Sequence, residues 1–119
     1  MYEAYVSGDV EGALACCHPD VEADFSVRVD GGVSRGREAL NETVMLWVSS
    51  WDLYEEEIDE IREFGERVCI AATQRGRAKG SGLELANRFG SLYEVTDGLI
   101  TRIEMFKTPA EAFEAAQRT

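Results

Sequence analysis

The chain has 119 residues, of which 45% are hydrophobic and 29% charged, enough for one globular domain over 1–119 and too few for two. Its 23 acidic side chains outnumber the 12 basic ones, and the formal net charge of -11 repels phosphate backbones and anionic lipid headgroups. We therefore expect no nucleic acid and no membrane as a partner.

Disulfide, metal and cofactor chemistry find little support in the sequence. The cysteines are Cys16, Cys17 and Cys69, an odd number without a CxxC pair, and the lone histidine, His18, cannot build a histidine metal site by itself. Because the sequence has no cluster of metal ligands and no glycine-rich phosphate loop after a predicted strand, we predict no metal and no cofactor. No apolar run reaches the roughly 18 residues of a membrane-spanning helix, and no signal-peptide pattern opens the chain, so we expect a cytoplasmic protein.

The chain begins with a pattern that predicts two short helices. A helix over 1–6 ends at the sequence SGD of residues 7–9. The aspartate of that sequence is suited to cap a second helix, which runs from Val10 to Cys17. The sequence HPD at 18–20 then breaks the helix, because proline cannot continue it.

A strand and a long helix follow. Apolar and polar residues alternate from Val21 to Val29, which predicts a half-buried strand that ends at the turn DGG of 30–32. From Arg37 onwards the apolar residues instead recur at spacings of four, three and four, the pattern of one stripe along an amphipathic helix. That stripe consists of Leu40, Val44, Trp47 and Trp51.

The segment from Tyr54 to Glu63 fits two structures. Tyr54, Ile58 and Ile61 have helical spacing, and the acidic run EEE at 55–57 favours a helix. The length of the segment and the turn FGE at 64–66 are equally consistent with a strand. The residues of this segment therefore leave the choice between helix and strand open.

Three strands and a final helix complete the chain. The strands run over Val68–Gln74, Leu83–Thr96 and Leu99–Lys107, and the sequence DG at 97–98 predicts a hairpin between the last two. Thr108 caps a last helix whose first residue is a proline. Helices first and a strand-rich second half with short turns predict the α+β class, a curved antiparallel sheet with helices on one face.

Six short sequence words stand in a characteristic order along the chain. They are GD at 8–9, HPDV at 18–21, GREAL at 36–40, RGRAKGSG at 75–82, DGLI at 97–100 and PAEAF at 109–113. In this order the chain resembles the SnoaL-like (polyketide cyclase-like) family of the nuclear transport factor 2-like superfamily.

The resemblance implies a cone-shaped fold. In that fold N-terminal helices, one long helix and a short C-terminal helix enclose a pocket on a curved antiparallel sheet. The segment 54–63 should then be a strand paired with 68–77, with Glu55 and Glu57 near the mouth of the cone or on a solvated face. The resemblance also implies a homodimer through the convex face of the sheet.

The acid and base residues of known relatives are missing at the positions where the resemblance would place them. Isomerases of this fold use an aspartate base, whose position here falls on Phe25, and an acid whose position falls near Ser91. Limonene-type epoxide hydrolases hold a water with groups whose positions here are Ala72, Gln74 and Met105. None of these three side chains takes a proton from water. We assign no catalytic residue from the sequence.

The side chains that the resemblance places toward the pocket are mainly apolar, with a few polar groups among them. They are Phe25, Leu40, Val44, Trp47, Trp51, Gln74, Asn87, Phe89, Ser91, Tyr93, Ile103, Met105 and Lys107. Such a lining suits a small hydrophobic molecule held by two or three hydrogen bonds, although a filled core would have the same composition. Two functions stay open: a cofactor-independent cyclase, isomerase or hydrolase, or a non-catalytic ligand-binding or dimerisation module.

Overall fold

The computed structural model describes residues 10–27 and 32–118 and folds them into three helices and six strands. In chain order these are α1 (Val10–Ala15), β1 (Cys17–Asp24), β2 (Val33–Arg35), α2 (Arg37–Ser49), β3 (Trp51–Phe64), β4 (Arg67–Ala78), β5 (Glu84–Thr96), β6 (Leu99–Phe106) and α3 (Pro109–Gln117). The helix predicted over 1–6 lies outside the described residues.

The six strands form one sheet in the order β2-β1-β6-β5-β4-β3. Strands β3 to β6 make an antiparallel meander, β1 lies parallel to β6, and β2 pairs antiparallel with β1. The sheet is curved and does not close, so β2 and β3 are its edges. This architecture confirms the predicted α+β fold.

Two hairpins of the meander agree with the predictions. The segment that the sequence left open is β3, and it pairs with β4 from Trp51 opposite Ala78 to Phe64 opposite Arg67. Between β5 and β6, Asp97 has a φ of 52° and Gly98 a φ of 80°. Two positive φ values in a two-residue loop make a type I′ turn, whose twist matches that of the paired strands.

The start of β1 differs from the prediction. Helix α1 ends at Ala15, two residues early, and β1 begins at Cys17 and runs through the HPD sequence that predicts a break. Pro19 has no N–H to donate to a neighbouring strand. The strand tolerates it because the pairing of β1 with β6 shifts register between Cys17 and Glu22.

The end of β1 also differs, since the strand stops at Asp24 rather than at Val29. The Asp24 carboxylate accepts hydrogen bonds from the backbone N and the Oγ of Ser26, at 3.0 and 2.6 Å. An aspartate that bonds the chain two residues further on makes a turn in place of an extended strand. Residues 28–31, which include most of the predicted DGG turn, lie outside the described residues.

Helix α2 is shorter than its predicted stripe. It ends at Ser49, so Trp51 opens β3 instead of closing the helix. The hydroxyls of Ser49 and Ser50 donate to the carbonyl of Leu46 at 3.0 and 2.9 Å. The two hydroxyl groups therefore donate to a carbonyl oxygen that would accept from a backbone N–H in a continuing helix.

The apolar core occupies both faces of the sheet. We call the face under α2 the inner face; its buried residues include Val21, Leu40, Phe89, Ile103 and Met105. On the opposite, outer face, α3 covers a smaller cluster of Cys69, Leu92, Ala112 and Ala116. The prediction of helices on one face is therefore wrong for α3.

Gly90 allows α3 to pack closely on the outer face. A Cβ atom at Gly90 would lie 2.6 Å from the Cβ of Ala112 and 2.9 Å from the carbonyl oxygen of Thr108. The side chain of Thr108 accepts a hydrogen bond from the N–H of Glu111, which confirms the predicted cap.

Within 10–27 and 32–118, no helix is both long and apolar enough to cross a membrane.

Candidate functional site

A cleft of about 310 Å³ lies on the inner face of the sheet, at the end of β6. Its lining consists of Val27, Gln74, Asn87, Phe89, Met105, Phe106 and Lys107. Five of these belong to the predicted pocket lining, while Val27 and Phe106 do not. The cleft therefore brings together predicted residues from β4, β5 and β6 that are far apart in the sequence.

The strand register explains why these side chains meet. Gln74 on β4 lies directly opposite Asn87 on β5, and Ser91 on β5 lies opposite Met105 on β6. Paired residues of an antiparallel sheet point to the same face, as do residues two apart on one strand. Asn87, Phe89 and Ser91 consequently share the inner face with Gln74 and Met105.

A row of polar side chains crosses three strands beside the cleft. Glu56 on β3 lies opposite Gln74, which lies opposite Asn87. Gln74 is buried, with 5% of the residue exposed. Its Nε2 lies 2.9 Å from Asn87 Oδ1, and its Oε1 lies 3.0 Å from the Tyr54 hydroxyl oxygen. The same hydroxyl bonds the Glu56 carboxylate. Hydrogen bonds at both ends compensate the burial of this amide.

An aromatic cluster at the end of α2 contacts this row through Tyr54. The rings of Trp47 and Trp51 meet edge to face with centroids 5.3 Å apart, and both lie 6.1 Å from the Tyr54 ring. Trp51 packs on Gly76, where a Cβ atom would lie 2.8 Å from its ring. The Trp51 indole N–H is buried and has no hydrogen-bond partner among the described residues. This cluster holds the Tyr54 hydroxyl between Glu56 and Gln74.

Residues 1–103 match the family model described as the SnoaL-like domain. The chain belongs to this family. No protein with a curated description matches this SnoaL-like domain.

Solved structures with the same fold are numerous. A nuclear transport factor 2-like protein from Burkholderia thailandensis E264 superposes with a TM-score of 0.83 at 21% identity, over 98% of this chain and 92% of the other. A polyketide cyclase-like protein from Xanthomonas campestris pv. campestris has a TM-score of 0.71 at 25% identity, over 98% and 90%. TerC, co-crystallized with polyporic acid, has a TM-score of 0.76 at 23% identity, over 98% and 92%.

Six further predicted lining residues of this SnoaL-like domain are buried or pack against the core. Phe25, Leu40, Ser91 and Ile103 are buried, with at most 7% of each exposed, and Val44 and Tyr93 pack against the core cluster of the inner face. A ligand contact by any of them stays a prediction.

The sequence reasoning missed Tyr54 and Glu56 as site residues. It considered Glu55 and Glu57, which are exposed as expected, and Glu57 pairs with Arg75 at 3.6 Å on the outer face. In the middle of β3, Tyr54, Glu56 and Ile58 are half-buried and alternate with exposed residues. Reading the alternation from the apolar Tyr54 and Ile58 would have placed Glu56 on the inner face.

The resemblance places the catalytic base of the isomerases at Phe25. The neighbouring Asp24 cannot serve as that base. Asp24 lies one residue away, so its side chain points to the other face of β1. Hydrogen bonds from Ser26 hold the pKa of Asp24 below its ordinary value of 3.8. A carboxylate with a lowered pKa is a weaker base. Asp24 therefore stabilises the strand end and does not supply the missing base.

Two other features of this SnoaL-like domain carry no site. A depression of about 490 Å³ at the start of α2 has mainly charged and small side chains around it, and its Arg37 donates to the carbonyl of Cys17. That contact ties α2 to β1. In the described part of the chain no three histidine, cysteine, aspartate or glutamate residues are grouped so that they could hold a metal ion.

Proposed function

We propose that this SnoaL-like domain binds a small, mainly apolar organic molecule in the cleft at the end of β6. The observation that carries the proposal is the composition of the cleft. Phe89 and Met105 form a buried apolar floor, and the Gln74 and Asn87 amides stand at one side of it. Pockets of this size with a few oriented polar groups suit a small ligand held by hydrogen bonds.

An acidic ligand fits the rim of the cleft best. Lys107 lines the rim and is exposed, so its ammonium group can approach a carboxylate or an enolate without a large desolvation cost. The structural relative TerC was co-crystallized with polyporic acid, which supports an organic acid as the class of ligand. The apolar part of such an acid would lie on Phe89 and Met105.

Binding is tested with an aromatic acid series and a matched pair of variants. The chain contains two lysines, Lys107 at the cleft and Lys79 at the turn after β4. We expect Lys107→Ala to weaken binding of an aromatic acid by about tenfold, and Lys79→Ala to leave it unchanged. Isothermal titration calorimetry measures both, after native mass spectrometry has shown whether a ligand co-purifies. Equal affinities for the two variants would contradict the proposed site.

A second candidate function is cofactor-independent proton transfer, as a cyclase, isomerase or hydrolase. Glu56 favours it, because this carboxyl group lies on the inner face in a hydrogen bond with Tyr54, next to Gln74. A positioned carboxyl group can accept a proton and return it during a reaction. The similarity to a polyketide cyclase-like structure supports a reaction of this class. Turnover that survives Glu56→Gln would contradict this candidate.

We also propose that two copies associate through the part of the outer face that α3 leaves uncovered. That surface has two oppositely charged pairs: Glu57 on β3 with Arg75 on the neighbouring β4 at 3.6 Å, and Asp59 on β3 with Arg88 on β5 at 3.4 Å, across β4. Leu53, nearer the start of β3, is 52% exposed. A surface with both signs of charge around an apolar residue is complementary to a second copy of itself.

A further inference from the structure

Among the described residues, the Tyr54 hydroxyl lies within hydrogen-bond distance of two side-chain oxygen atoms on neighbouring positions of the row. One is Glu56 Oε1, and the other is Gln74 Oε1 at 3.0 Å. A phenolic hydroxyl has one proton and can donate it to only one acceptor. A carboxylate is the stronger acceptor, since hydrogen bonds to an ionised group are about twice as strong as those between neutral groups. The proton of Tyr54 is therefore directed to Glu56.

This choice determines how the next amide is oriented. With the Tyr54 proton on Glu56, an oxygen of Gln74 at 3.0 Å from the Tyr54 oxygen would meet it with no proton between them. A primary amide has nearly the same shape after a half turn about its last bond, which exchanges its oxygen and its NH₂ group. The Gln74 NH₂ group then donates to Tyr54, and its carbonyl oxygen points to Asn87.

The amide of Asn87 must follow that of Gln74. The two amides are 2.9 Å apart, so one must donate and the other accept. When Gln74 presents its oxygen, Asn87 presents its NH₂ group to Gln74, and the carbonyl oxygen of Asn87 is left facing away from it. Asn87 lines the cleft and is exposed, so the group that Gln74 does not use is available to a ligand.

We propose that Glu56 determines, through Tyr54 and Gln74, that Asn87 offers a hydrogen-bond acceptor to the cleft. This inference rests on the proposed binding function and names the class of ligand that the site selects. The preferred ligand is an aromatic or other planar acid that carries a hydroxyl or N–H group opposite Asn87. An analogue with a methoxy group at that position has no proton to donate and is disfavoured.

The orientation of the amides is measured without a ligand, so this part of the test does not depend on the binding proposal. In the ¹H–¹⁵N spectra of the purified protein, we expect the nuclear Overhauser effect from the Gln74 side-chain NH₂ protons to the Tyr54 ring to exceed that to the Asn87 side chain. The Glu56→Gln variant has no carboxylate, so the bias should be lost. A stronger effect toward Asn87 in the unmodified protein would overturn the proposal.

Ligand selectivity gives the second measurement. The probes are 4-hydroxybenzoate and 4-methoxybenzoate, and we expect the first to bind about tenfold more tightly, the ratio that one net hydrogen bond supports. Glu56→Gln should abolish that ratio. The control is Glu57→Gln, which changes the adjacent residue on the outer face and should keep it.

The two proposals fail differently. If neither probe binds while the amide orientation is as expected, the binding function fails and the role of Glu56 stands. If both probes bind with equal affinity, or if Glu56→Gln and Glu57→Gln alter the ratio alike, the role of Glu56 is wrong and binding stands.

Discussion

Single residues decide the polar character of this site. Gln74 is the buried amide on which the row from Glu56 to Asn87 depends, and it is 5% exposed. It stands where the resemblance puts a proton-transferring residue of the hydrolases. The sequence shows that an amide cannot replace that residue in the reaction. It does not show that the amide is hydrogen bonded at both ends, since its partners lie 20 and 13 residues away along the chain.

We expect Gln74→Glu to lower the free energy of unfolding at pH 7 by about 2 kcal/mol. The substitution places a second carboxylate within reach of the Tyr54 hydroxyl, beside Glu56, and removes the amide donor. Urea denaturation measures the change. The other glutamine, Gln117, is exposed at the end of α3, so Gln117→Glu adds the same charge as a control and should change stability little. Equal effects of both would mean that net charge is responsible.

The cysteines allow a prediction of pH dependence. Burial raises the pKa of the Cys17 and Cys69 thiols above their ordinary value of 9.0. The unfolded chain therefore loses these protons at lower pH than the folded protein does. The stabilisation that the buried thiols contribute is complete below about pH 9 and decreases as the pH rises above it. Urea denaturation at pH 8 and pH 10 should show the loss, and Cys69→Ser should reduce it.

The same burial protects both thiols from reagents at pH 8. The thiolate is the reactive form, and neither side chain is exposed. We expect a thiol-specific aromatic disulfide to modify the half-buried Cys16 first, and the other two only in urea. Simultaneous modification of all three in the folded protein would contradict the buried positions of Cys17 and Cys69.

At the scale of the elements, the positions of α3 and β3 were the least predictable. The cap of α3 is visible in the sequence because it depends on neighbours three residues apart. The face on which α3 packs is not visible in the sequence, because it depends on contacts between distant residues, such as that of Gly90 with Ala112, 22 residues further on. Likewise, the sequence of β3 fits both a helix and a strand, and its pairing with β4 decides for the strand.

We expect Gly90→Ala to destabilise the protein by about 2 kcal/mol, because its new methyl group would overlap Ala112 in α3. Gly32→Ala is the control, since a Cβ atom there has nothing within 4 Å. Thermal unfolding followed by circular dichroism measures both variants. If Gly90→Ala were as stable as Gly32→Ala, α3 would not pack on β5 as closely as described.

At the scale of the whole molecule, we expect a homodimer whose affinity depends on charges of the uncovered outer face. Arg75→Glu places a like charge beside Glu57 on that face and should weaken the dimer by about tenfold. Arg35→Glu makes the same change in net charge on β2, the far edge strand of the sheet. Sedimentation velocity over a concentration series measures the association. A monomer at all concentrations, or equal weakening by both variants, would contradict the proposed interface.

The sequence by itself determined the α+β class, the hairpin at 97–98, the cap of α3 and the family. These depend on composition, on alternation and on contacts between residues a few positions apart, which a sequence displays directly. Only the tertiary structure decided that Glu56, Gln74 and Asn87 form one row, because strand register joins residues that are distant in the chain. It also decided that Phe25, Leu40 and Ile103 of the predicted lining lie in the buried cluster of the inner face, since burial depends on how closely a helix and a sheet approach.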